Sequence, residues 1–185
     1  MKKFNEQMEK ESREIFGDRR VVFGEGKING GIMLIGEAPG GEEEKQGRPF
    51  VGKAGKNLNE FLEIVGLERE DLYISNVVKI RPFKLSPKTN KPVNRPPDKA
   101  ELAFFVPLLH REIELVNPKL IVTLGNFALK NVLMDQKASI GDFHGRLIEK
   151  DEKRIFPLYH PASIIYDRAK APVYIEDLHK LREIL

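Results

Sequence analysis

Residues 36–55 read GEAPGGEEEKQGRPFVGKAG and directly follow the apolar run Ile32-Met33-Leu34-Ile35. Four apolar residues that break into a Gly/Pro-rich turn carrying one acid, then an Arg-Pro-Phe segment and a helix start, describe a buried strand of an open α/β sheet with a site at its end. The same alternation recurs outward from this stretch. Apolar strands are expected at 32–35, 72–78, 120–124 and 154–159, and helical periodicity fits 3–16, 54–65, 98–116, 126–134 and 173–185. Strands alternating with helices predict an α/β fold, a three-layer α/β/α sandwich around a central four-stranded, mostly parallel, twisted sheet. Asp98, after Pro96-Pro97, is the expected N-cap of the third helix, and Pro107 inside it is expected to kink or interrupt it.

With 185 residues, 41% of them hydrophobic, the chain can bury one core, and a single domain over 1–185 is expected. No apolar run approaches the roughly 18 residues needed to span a membrane, and the N-terminal MKKFNEQMEKESR has no signal-like apolar stretch, so a soluble, cytoplasmic protein is expected. There is no cysteine, which excludes disulfides, thiolate catalysis and Cys-ligated zinc or iron–sulfur centres. His110, His144 and His179 show no ligand spacing, so no metal is assigned. A net charge of +3 is too small to identify a partner. Its distribution says more. Residues 79–95, KIRPFKLSPKTNKPVNR, hold six basic residues (Lys79, Arg81, Lys84, Lys88, Lys91, Arg95), no acid and three prolines, which predicts an extended or looping segment. Such a segment beside a sheet edge can contact phosphates, and equally can be solvated surface.

The expected strands end on polar groups: Gly36-Glu37, Ser75-Asn76, Gly125-Asn126 and His160-Pro161. In a parallel sheet these gather at one edge, where open α/β proteins bind ligands. Taken singly, each has an ordinary role: a Glu can cap a helix, an Asn can satisfy backbone groups, a His can sit in a loop. The triple Glu42-Glu43-Glu44 reads as mostly solvated charge near a turn or helix start. GRPFVGK (47–53) imitates a P-loop, but Ala54 stands where the magnesium-binding hydroxyl is required and no strand precedes it directly. Gly52 and Gly55 at a helix start could still offer backbone N–H groups to a DNA phosphate.

VVFGEG (21–26), GEAPG (36–40), GRPFVGKAG (47–55), YISNVVK (73–79) and YHPAS (159–163), in that order and spacing, resemble the family 4 uracil-DNA glycosylases over nearly the whole chain. The resemblance implies base excision on uracil-containing DNA, and a monomer is the default expectation. Glu37 would hold or activate the attacking water and steady the sugar cation, Phe50 would stack on the extruded uracil, Asn76 would read its edge, and His160 would donate to O2. Ala38 and Glu43 fall on the same substrate-binding motif. On such a substrate the helix start at Gly52 and Lys53 and the basic segment with Lys84, Lys88 and Lys91 are the candidate phosphate contacts. The segment 162–168, ASIIYDR, corresponds to the loop that enters the minor groove, with Ser163, Ile164, Ile165 and Arg168 as its contacts.

Elementary chemistry agrees with these roles. Breaking an N-glycosidic bond builds positive charge on the deoxyribose and negative charge on the departing base, so an anion is wanted near the sugar and a donor near O2. Nothing in this requires a cofactor, and none is assigned. Family 4 enzymes hold an iron–sulfur cluster, whose cysteine positions correspond here to Glu9, Ser12, Ile80 and Ala103. No thiolate is present, so the cluster cannot form, and packing by Ile80 and Ala103 is expected to replace it. A glycosylase for other deaminated bases (hypoxanthine, xanthine) and a non-catalytic DNA-binding relative remain as alternatives.

Overall fold

The computed structural model describes every residue except Gly30, and every side chain except, in addition, those of Ile165, Tyr166 and Arg168. Its strands are β1 (Glu25–Gly26), β2 (Ile32–Gly36), β3 (Leu72–Asn76), β4 (Phe83–Leu85), β5 (Pro92–Asn94), β6 (Leu120–Leu124), β7 (Ile148–Lys150) and β8 (Lys153–Leu158). Its helices are α1 (Lys2–Phe16), α2 (Gly41–Gln46), α3 (Lys53–Val65), α4 (Lys99–Val116), α5 (Asn126–Leu133), α6 (Ile140–Phe143), α7 (Pro161–Tyr166) and α8 (Ala171–Glu183). Among the described residues no helix is long and apolar enough to cross a membrane.

One sheet has the order β1-β3-β2-β6-β8-β7. Its four inner strands are parallel, as expected, and two short antiparallel strands close the edges, making six rather than four. The chain leaves β2 for β3 on one side and later returns to β6 on the other. That reversal makes the C-terminal end of β2 a topological switch point, where a crevice opens between the connections.

Alternation along the inner strands divides the core. Met33, Ile35, Tyr73 and Ile121 pack toward α1, α4 and α5. Leu34, Leu72, Ile74, Val122 and Phe156 pack toward α3 and α8. Helices on both faces explain why these strands read as unbroken apolar runs.

Asp98 caps α4, accepting from Glu101 N–H at 2.9 Å. The helix runs through Pro107 without the expected break. Pro107 and Ala103, whose carbonyl loses its partner there, both lie on the exposed side, where water can satisfy it. The basic stretch is also more ordered than a loop: β4 and β5 form an antiparallel hairpin.

The positions assigned to cluster ligands hold no thiolate and differ in burial. Glu9 and Ala103 are exposed, Ile80 is fully buried, and the buried Ser12 hydroxyl has no partner among the described residues. These residues do not fit a cluster. Ile80 packs as expected, but the anchor on α4 is Phe105 rather than Ala103. Phe16 of α1 stacks on Phe105 at 5.7 Å and meets Phe104 edge-on at 5.5 Å. The loop after β3 is tied by Glu101, 1% exposed, which accepts from Arg19 at 2.9 Å and from Arg95 at 2.8 and 2.9 Å.

Candidate active site

Parallel register sets Asn76 directly beside Gly36 where β3 and β2 end. A Cβ on Gly36 would lie 2.5 Å from both Asn76 Oδ1 and Phe50 Cζ, so only glycine allows these two side chains to meet there. Pairing continues past the strands: Val77 N–H donates to Gly36 O at 2.9 Å and Val78 N–H to Glu37 O at 3.0 Å, which fixes the backbone of Glu37. The Asn76 side chain is 3% exposed, lines the cleft and makes no hydrogen bond to the protein among the described residues.

Phe50 sits in the left-handed region, φ +52°, a conformation that costs a bulky residue about 1–3 kcal/mol and persists only where surroundings impose it. Glu43 is one source of that constraint. Its buried carboxylate accepts from Gly40 N–H at 3.1 Å, Val51 N–H at 3.1 Å and Gly52 N–H at 2.7 Å, stitching the start of α2 to the start of α3. Two sequence readings change accordingly. Glu43 lines the cleft and at the same time holds the loop behind Phe50, so it is not simply solvated charge, and the Gly52 amide is engaged by Glu43 rather than open to a phosphate. Of the three neighbouring acids, only Glu42 is exposed, whereas Glu44 is half-buried against Arg81, with which it pairs at 3.2 Å.

His160 caps α7: its Nδ1 accepts from Ala162 N–H at 3.1 Å. A nitrogen that accepts cannot carry the proton, so the neutral ring bears it on Nε2. Burial pushes the imidazole pKa below its ordinary 6.5, in the same direction. The ring lies 6.1 Å from that of Phe50, centroid to centroid, inclined by 27°. Gly125, at the end of β6, donates to Leu158 O at 2.7 Å and leaves 3.1 Å between its would-be Cβ and His160 Cβ.

Phe50, Asn76 and His160 line one cleft of ≈ 450 Å³, together with Ala38, Lys53 and Asn94. Glu37 itself is not among the lining residues. It is half-buried beside Ala38, without a hydrogen-bond partner among the described residues, and burial raises its carboxyl pKa above 4.5. Asn94 was not foreseen. It is the last residue of β5, and its Oδ1 accepts from Arg81 Nε at 2.8 Å, which turns its NH₂ away from Arg81. Lys84, Lys88 and Lys91 are exposed on the same hairpin and have no ion-pair partner among the described residues.

The Ser163 hydroxyl donates to His160 O at 2.7 Å, closing the turn. Ile164 is partly buried against the α3/α8 face. The side chains of Ile165 and Arg168, the other expected contacts there, lie outside those described.

Residues 23–182 match the uracil DNA glycosylase superfamily. The chain belongs to that superfamily. Similar curated proteins include a type-4 uracil-DNA glycosylase of Sulfurisphaera tokodaii, 40% identical over 172 residues that cover 89% of this chain and 74% of that one. Another, of Thermotoga maritima, is 39% identical over 168 residues (89% and 83%), and one of Saccharolobus solfataricus is 39% identical over 175 (90% and 77%). Within this glycosylase superfamily member, the cleft described above is the place where the ends of β3 and β8 and the loop between α2 and α3 deliver an amide, a neutral imidazole and an aromatic ring.

Proposed function

We propose that the protein is a uracil-DNA glycosylase of the type-4 kind that works without an iron–sulfur cluster, removing uracil from DNA as a monomer and leaving an abasic site. The observation that carries this reading is the convergence of Phe50, Asn76 and His160 on one cleft with the Asn76 amide uncommitted. Uracil leaves the base stack at a cost of a few kcal/mol, and stacking on Phe50, worth about 1–3 kcal/mol, offsets much of it. Asn76 donates to O4 and accepts from N3–H, and a base with the opposite pattern leaves these buried groups unpaired. As the C1′–N1 bond breaks, negative charge collects on the uracil and His160 Nε2–H donates to O2. Water adds to C1′ and gives its proton to Glu37, whose carboxylate also faces the sugar cation. Ala38 forms part of the wall, and Lys53 lies at the rim where the DNA backbone passes.

The test is direct: purified protein, with EDTA present, should release uracil from a single-stranded oligonucleotide and leave an alkali-labile site. No release at any enzyme excess would overturn the reading. A second expectation concerns the hairpin. If Lys84, Lys88 and Lys91 contact phosphates, replacing all three by Ala should reduce the slope of log affinity against log salt by about 2–3. An unchanged slope would return the hairpin to ordinary solvated surface.

A further inference from the structure

We propose that Arg69 is a positioning residue for base stacking: one guanidinium grips the backbone on which Phe50 stands and ties it to the strand that carries Asn76. This rests on the reading that Phe50 stacks on the extruded base.

The geometry is specific. Arg69 opens the short 3₁₀ turn Arg69–Asp71, which runs without interruption into β3 and hence to Asn76. Its Nη1 donates to Phe50 O at 3.1 Å and its Nη2 to Pro49 O at 3.0 Å, so the two arms of one planar group hold two consecutive carbonyls. These flank the residue whose φ is +52°. The Phe50 carbonyl is boxed from the other side by Gly55, where any Cβ would collide with it. Two residues earlier, Arg48 is anchored separately on Glu25 of β1 through hydrogen bonds of 2.9 to 3.2 Å. Glu43 holds Val51 and Gly52 on the far side. Arg69 is thus the side chain that binds the strained residue's own carbonyl, and it does so from the element that sets the position of Asn76. It does not line the cleft, so it acts through Phe50 rather than on the base. A neutral or single-headed replacement releases one or both carbonyls, and the strained ring then relaxes away from the pocket.

The experiment compares Arg69→Gln, Arg69→Lys, Phe50→Ala and the double variant Arg69→Gln/Phe50→Ala. Two DNAs are used: a single-stranded oligonucleotide with the uncleavable 2′-fluoro-2′-deoxyuridine, and the same strand with a tetrahydrofuran abasic analogue, which has no base to stack. Arg69→Gln should weaken binding of the base-containing strand about tenfold and leave the abasic strand unaffected, because the platform touches only the base. Single-turnover uracil release should fall with it, and Arg69→Lys should restore part of the loss. In the Phe50→Ala background, Arg69→Gln should add nothing further. Equal losses on both strands would make Arg69 a general structural residue and overturn the proposal. A loss for Phe50→Ala with none for Arg69→Gln would overturn the role of Arg69 while leaving the stacking reading in place. No loss for Phe50→Ala would overturn the stacking reading, and the proposal with it.

Discussion

Glu37→Gln should lower the single-turnover rate of uracil release by on the order of 10²–10⁴-fold, the range over which a general base contributes, while affinity for uracil-containing DNA stays the same or tightens. The asymmetry has a physical cause. In the proposed mechanism the carboxylate is needed when water attacks and the sugar becomes cationic, whereas in the bound ground state a negative charge near DNA phosphates is mildly unfavourable. Burial raises the Glu37 carboxyl above its ordinary 4.5, and no neighbouring cation opposes that shift. In the proposed mechanism the active form is the ionised one, so the rate should rise with pH and level off above a midpoint higher than 4.5. Burial of an uncompensated carboxyl also means that ionisation costs folding free energy above the unfolded pKa, so Glu37→Gln should be slightly more stable than wild type at neutral pH. An acid limb that persists unchanged in Glu37→Gln would move the base to another residue. Equal losses in rate and in DNA binding would make Glu37 a structural residue.

What could be read before the fold was known follows the distance over which each feature is decided. Strand β6 matches its expected limits, and β2 gains only Gly36, because a buried parallel strand is a continuous apolar run bounded by turn residues. Strands β1 and β7, of 2 and 3 residues, are too short for any periodicity and exist because an edge of the parallel sheet offers them backbone partners. In the cleft, Asn76 and His160 were legible as strand-end polar groups and Phe50 through the resemblance. Asn94 was not, because it lies 18 positions beyond Asn76 and reaches the cleft only when the hairpin closes. The burial of Glu43, expected to be mostly solvated charge, was hidden for a similar reason: which groups satisfy its carboxylate depends on a loop that returns 8 and 9 positions later. Arg69 gave no local signal, since its partners are carbonyls 19 and 20 positions away.

The same strand carries a second feature invisible in the sequence, and it sets the largest expected effect on stability. Lys79 is 0% exposed and Glu112 1%, and they pair at 2.6 Å inside the core. Lys79 Nζ also donates to Ser75 Oγ at 2.7 Å and to the Asn76 carbonyl, while Glu112 accepts from Tyr73 OH at 3.0 Å and from Ser75 Oγ at 3.0 Å. The ion pair therefore ties the backbone of the proposed base-reading residue to α4. Glu112→Gln should destabilise the fold by about 3–5 kcal/mol, because a lysine is left in the core without its counter-charge. That is a large share of the roughly 5–15 kcal/mol that holds a domain folded. Burial already lowers the Lys79 pKa from 10.5 against the pull of Glu112, and removing Glu112 lowers it further. The unfolded chain then binds more protons than the folded one, so the stability of Glu112→Gln should recover as pH rises from 7 toward roughly 10, where neutral Lys79 no longer needs a partner. Replacing both together, Lys79→Met with Glu112→Leu, should cost less than Glu112→Gln alone, since no buried charge remains. Denaturant midpoints of the three proteins at pH 7 and at alkaline pH decide this. A Glu112→Gln midpoint equal to wild type, or one that falls with pH, would mean that the pair is not the anchor of this strand. If the anchor is real, the double variant should fold yet release uracil more slowly than wild type, because nothing then holds the Asn76 carbonyl in place.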